Sequence, residues 1–152
     1  MSDCPVQIRT DELIVRALYY PYHFKNDKLD KAAFKPQKGS NKISVMRHDW
    51  LKSDGCKAQA KRLQRDGKTY RGFAALCAGE IKAAGAEVAD SRHEYEGHAD
   101  IQIKWTTGGA GEPGPPEEMI EINAVAKKLR DSARYYRDPD PGYNGWTGEE
   151  MR

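Results

Sequence analysis

The chain has 152 residues, with 25 Lys and Arg, 23 Asp and Glu, four His and three Cys. That length supports one well-filled core, since two domains would have about 75 residues each and thin interiors. Mean hydropathy is −0.86, but 38% hydrophobic residues is too many for full disorder, and the longest apolar run, Phe73–Ala78, falls far short of the roughly 20 residues of a membrane span. The start, Met1–Pro5, has neither a basic segment nor an apolar stretch, so no signal peptide is expected.

Leu13–Tyr20 is rich in β-branched and aromatic residues and reads as a strand that Pro21 ends. Residues 21–42 hold Pro21, Pro36, Gly39 and many lysines, and read as a long loop with one helical turn near Leu29–Phe34. Ile43–Met46 reads as a short strand. Ser53 or Asp54 caps a helix running to about Gln64, in which Cys56, Ala60 and Leu63 form an apolar stripe and Lys57, Lys61 and Arg65 a charged one. Asp66-Gly67 stops it. Tyr70–Leu76 reads as a buried strand, Ala78–Ala84 as a short helix closed by Gly85, and Ala86–Ala89 as another short strand. This strand, helix and strand are tight for a right-handed parallel crossover.

After a polar loop over 90–97, His98–Trp105 alternates strictly. Ala99, Ile101, Ile103 and Trp105 share one face, and His98, Asp100, Gln102 and Lys104 the other. Residues 106–116, with four glycines and three prolines, read as a flexible loop. One long helix is expected from Pro116 to about Tyr136, with acids in its first turn and bases towards its end. Residues 138–152 form a tail whose Tyr143 and Trp146 are expected to pack back. The expectation is a single α+β domain spanning 1–152. It has a small mixed or antiparallel sheet of about five strands and about three helices, the longest C-terminal.

Charge is polarised along the chain. Residues 1–72 carry sixteen Lys and Arg against eight Asp and Glu, a net of +8; residues 73–152 carry a net of −6. Such a layout suits an acidic partner on the basic half, unless the halves interleave in space. Cys4, Cys56 and Cys77 are odd in number and widely spaced. They read as reduced thiols of a cytoplasmic protein, not as a disulfide framework or a paired-cysteine metal site.

Four places hold residue types that do chemistry. In Arg92–Asp100, His98 and Asp100 project from one strand face about 7 Å apart at Cα, so they are candidates for a catalytic acid–base pair, with His93 nearby as a ligand contact. The alternative is a solvent-facing strand edge. Arg16, the single charge in an apolar strand, must find an anion, a ring or water, and is a candidate clamp for phosphate or carboxylate. Ser44 is a candidate nucleophile and Arg47 a candidate ligand contact, with His48 adjacent; no G-x-S-x-G surrounds the serine. Tyr19–Lys25 interleaves rings with basic residues and includes His23 as a ligand candidate. With Lys28, Lys31, Lys35, Lys38 and Lys42, it matches the composition of single-strand nucleic-acid binders. The H-x-x-x-x-H spacing of 93 and 98 fits no metal signature, and Gly108–Gly111 lacks the G-K-[ST] of a phosphate loop, so neither a metal nor a cofactor is expected.

Taken together, Arg16, Pro21, Phe24, Ala33–Pro36, Ser44–Arg47, Gly97–Ile101, Tyr135–Pro139 and Gly145-Trp146 resemble a group of short bacterial proteins. The resemblance implies a bacterial, cytosolic, single-domain protein and carries no activity with it. A looser likeness is to ADP-ribosyltransferase-like folds, in which an early-strand Arg, a middle-strand Ser and a late polar residue surround a nicotinamide dinucleotide. It would assign those parts to Arg16, Ser44 and His98 or Asp100, although the late Glu is missing unless Glu94 or Glu96 serves. The functional expectation is an accessory module that binds another protein. Second comes a small enzyme acting on a nucleotide-like or other phosphate-bearing ligand. Third comes a binder of single-stranded nucleic acid. No membrane partner is expected.

Overall fold

The computed structural model describes residues 4–36, 40–103 and 116–152. The strands are β1 (Leu13–Tyr20), β2 (Phe24–Lys25), β3 (Lys28–Leu29), β4 (Lys42–Arg47), β5 (Thr69–Cys77), β6 (Ala86–Asp90), β7 (His98–Ile103) and β8 (Arg134–Arg137). The helices are α1 (His48–Arg62), α2 (Ala78–Ala83) and α3 (Pro116–Ser132), with a 3-10 turn over Lys31–Phe34. Six strands form one antiparallel sheet in the order β6-β7-β4-β1-β5-β8, and β2 and β3 form a separate hairpin. The α+β domain and its three helices match the sequence reading. Lys104, Trp105 and the loop read over 106–115 lie outside the described residues.

Alternation sorts the sheet into two buried faces. Ile14, Leu18, Val45, Leu76 and Ile101 pack with Phe34, Ile81, Ile122, Ala126 and Leu129 under α2, α3 and the 3-10 turn. Val15, Ala17, Tyr19, Met46, Tyr70 and Phe73 pack with Cys56 and Ala60 of α1 and Met151 of the tail. Each fully buried Ile, Leu or Phe contributes roughly 1.5–3 kcal/mol, so covering both faces stabilises a chain of low mean hydropathy. Because each neighbouring pair is antiparallel, β5 and β6 run in the same direction with three strands between them. Their connection through α2 is therefore a parallel crossover that touches both strands, longer in reach than a nearest-neighbour unit.

Three expectations change. The helix read to Tyr136 ends at Ser132, and Arg134–Arg137 pairs with β5 as an edge strand. The 3.6-residue spacing of Leu129, Ala133 and Tyr136 continues past the break. The β-prone Arg-Tyr-Tyr-Arg run instead completes a ladder that an isolated helix end could not offer. Gly72 (φ +154) permits this docking, because a Cβ there would collide with the Tyr136 carbonyl. The loop over 21–42 also contains the β2–β3 hairpin, turned by Asn26 and Asp27 with positive φ. Finally, α1 begins before the expected cap: a first turn over His48–Leu51 is broken at Lys52 (φ 59), and the main helix starts at Ser53, where the sequence placed it.

Candidate functional site

Register decides which candidate residues can meet. Across β4 and β7, Ser44 is opposite Asp100 and Met46 opposite His98, so Ser44, His98 and Asp100 share the face that α1 covers. Arg16 is opposite Ala74, and Arg47 opposite Ile14, both on the face of α2 and α3. The expected hollow between Arg16 and His98 therefore does not form, and the ADP-ribosyltransferase-like arrangement loses its common centre.

His98 and Asp100 do not sit on a solvent-facing edge, because β7 lies between β6 and β4. They are only 5% and 9% exposed. Nor does the carboxylate orient the imidazole. His98 Nδ1 shares a hydrogen bond of 2.5 Å with Ser91 Oγ, and the Tyr95 ring stands edge-on at 4.9 Å. Gly97 (φ +92) leads into the strand where a Cβ would press on Leu51. Ser44 is exposed, and among the described residues neither its hydroxyl nor the Asp100 carboxylate has a hydrogen-bond partner.

Arg16 is half-buried and meets carbonyls instead of an acid. Nε donates to Ala33 O at 3.0 Å and Nη1 to Ser44 O at 2.9 Å. The β1–β4 ladder runs over only two residue pairs, and the guanidinium enters where it stops, supplying donors that a strand would have supplied. Burial lowers its pKa to about 10, so it stays charged at neutral pH. His23 accepts from Tyr19 N at 3.0 Å; burial first, then the charges of Arg16 and Lys68, lower its pKa to about 3. It is a neutral turn-holding residue. His93 is exposed, 3.6 Å from Glu94.

Arg47 is a lock. It is fully buried and forks onto Glu12 (2.6 and 2.8 Å), while Nη1 reaches Asp90 (2.8 Å), Cys4 Sγ (3.2 Å) and the Pro5 carbonyl. Arg92 closes the other side of Asp90 at 2.8 Å. Burial works against the Asp90 carboxylate, but the bonds from Arg92 and Arg47 outweigh it and lower its pKa. With its donors so committed, Arg47 has little left for a ligand.

Two arrangements escaped the sequence reading. Lys57, assigned there to a charged stripe, is 0% exposed. Its Nζ donates to the carbonyls of Asp140 and Gly145, both at 2.8 Å, and pairs with Asp138 at 3.0 Å, while Tyr70 OH donates to Asp138 at 2.6 Å. These bonds, with Trp146 N on Asp54 and the Trp146 ring against Phe73, fasten the tail. Trp146 packs back as expected; Tyr143 does not, and stays exposed. The signal within reach was position, since Lys57 lies one turn from Ser53 and Ala60 beside buried Cys56.

The second is a row of rings at the β5–β8 edge. Phe24 lies 6.4 Å from Tyr20 and 5.5 Å from Tyr135. Pairing shifts between Leu18 and Tyr19, leaving Arg71 as the extra residue of β5. That bulge aims its guanidinium 4.6 Å over Tyr20 and 5.8 Å over Phe24. Lys68 lies 5.4 Å over Tyr22. Tyr20 and Tyr135 remain 40% and 37% exposed. Arg137 stands across from Gly72 on the same sheet face as Tyr135. Among the described residues, none of Lys25, Lys28, Lys68, Arg71 and Arg137 is in an ion pair; the nearby acids in sequence are Asp27, Asp30, Asp66 and Asp138, the last paired with Lys57.

Among the described residues no cluster of three or more His, Cys, Asp or Glu could hold a metal, and no helix is long and apolar enough to cross a membrane. Compared with protein-family models, curated proteins and solved structures, the chain gives no match.

Proposed function

We propose that the protein is a non-catalytic binding module that captures an anionic partner on the β5–β8 edge. The observation that carries this reading is the row of half-open Tyr20 and Tyr135 joined by partly buried Phe24, with Arg71 laid over Tyr20 and Phe24 and no acid in ion-pair reach of that guanidinium among the described residues. A cation held on a ring face is oriented without being discharged, and keeps its charge for an incoming anion. Arg71 of β5 and Arg137 of β8, one from each half of the chain, bring positive charge to this edge. The Arg16 side chain lies on the opposite sheet face to the side chains of Ser44, His98 and Asp100 and meets residue 44 only at its carbonyl, which weighs against the enzyme reading. The free thiols of Cys56 and Cys77 are in keeping with the cytoplasmic reading. The test is chromatography on immobilised heparin, a generic polyanion. The wild type should be retained at low salt and released as salt rises, and Arg71→Glu with Arg137→Glu should elute markedly earlier. Passage of the folded wild type straight through at low salt would end the proposal.

A further inference from the structure

We infer that the anionic partner is a single strand of nucleic acid, its bases stacked on Tyr20, Phe24, Tyr135 and Arg71 and its phosphates lying along Lys25, Lys28 and Arg137. This rests on the reading of the β5–β8 edge as the binding surface, and adds what binds there. Three observations favour a single strand over an acidic protein segment or a duplex.

First, the surface presents rings as well as charge. An acidic peptide needs the cations but gains little from three half-open aromatic rings. A duplex keeps its bases stacked inside and offers mainly phosphates. An unpaired base has an open π face that stacks on an aromatic ring or a guanidinium plane. Second, the rings form a continuous row: Phe24 tilts 37° against Tyr20 at 6.4 Å and 60° against Tyr135 at 5.5 Å, leaving the two half-open tyrosines at its ends as contacts for separate bases. Third, the adjoining hairpin sets Lys25 directly opposite Lys28. Like charges in register oppose the hairpin, and a phosphate between them would relieve the repulsion. A shallow hollow of about 400 Å³ opens there, between the hairpin and Arg130 of α3. Its lining includes one acid, Asp30, whose Oδ2 accepts from Ala32 N, and Arg130 there is paired with Asp131, so Lys25 and Lys28 are its unpaired cations among the described residues.

The experiment is fluorescence anisotropy with four probes: a short labelled oligouridine RNA, an oligothymidine DNA of equal length, a blunt duplex of equal length, and a polyglutamate peptide. Both single strands should bind more tightly than the duplex and the peptide. Tyr20→Leu should weaken single-strand binding at least about fivefold, with a thermal melt like the wild type's. Lys25→Gln with Lys28→Gln removes a repulsive pair, so it should fold at least as well as the wild type. It should reduce the salt slope of binding by about 0.7 for each phosphate that is no longer neutralised. Equal binding of the duplex, or tighter binding of polyglutamate, would overturn the inference while leaving the anion-binding edge in place. Loss of heparin retention together with silence of all four probes would remove both.

Discussion

Arg47 and Arg71 are the same side chain in one sheet, put to opposite use. Arg47 ends β4 at 0% exposure and is neutralised by Glu12 and Asp90. Arg71 sits on a bulge at the other side of the sheet, over two rings, with no carboxylate in ion-pair reach among the described residues. The first guanidinium holds the segment before β1 against β4 and β6, whereas the second rests on the rings of Tyr20 and Phe24. A saturated cation is structural, and an oriented but unneutralised one is free to bind. Lys57 belongs with Arg47, since its charge and two further donors are used on the tail.

This contrast orders the expected effects of substitution. Arg47→Met strands Glu12 without a partner and leaves Asp90 to Arg92 alone, so it should cost about 3–5 kcal/mol in chemical denaturation. A decrease of less than about 1 kcal/mol would mean that the cluster is not the lock it looks like. Lys57→Met should cost about 2–3 kcal/mol, because Asp138 keeps its bonds from Tyr70 and from Asp140 N. It should free the tail to carboxypeptidase before the sheet unfolds. Acid should act on the same contact. Burial raises the Asp138 pKa, but the bonds from Tyr70, Lys57 and Asp140 N outweigh it and set it below the ordinary 3.8. The folded pKa is thus depressed: its contribution is complete above about pH 4 and is lost as pH falls through the lower folded value. Tail protection that is constant from neutral pH to well below 3 would contradict this. Arg71→Gln should change stability by no more than about 0.5–1 kcal/mol, the worth of an exposed cation–ring contact, in the same denaturation assay.

How much was legible follows the same division. β1 and β7 announced themselves by β-branched runs and alternation, and α2 by its glycine stop, because these signals are local. β8 did not, since its pairing depends on an open backbone position about sixty residues earlier. Tyr20 and Phe24 were visible as rings among bases, but the bulge residue that crosses them and the third ring come from two distant strands. Arg47 and Lys57 misled because a charge in a sequence is read as a surface unless a buried acid can be placed beside it. Glu12, Asp90 and Asp138 lie 35, 43 and 81 residues away. His98 misled in the other direction: alternation ordinarily marks one packed and one solvated face, but here the imidazole is buried and held by Ser91, a partner seven residues away.

Gly72 gives the fold an economy of its own. The absence of one methyl-sized group in β5 lets the backbone of β8 settle, and Tyr135 rides on β8 into the row of rings. A side chain at position 72 would therefore push β8 away and carry Tyr135 out of the row, although every ring stayed in the sequence.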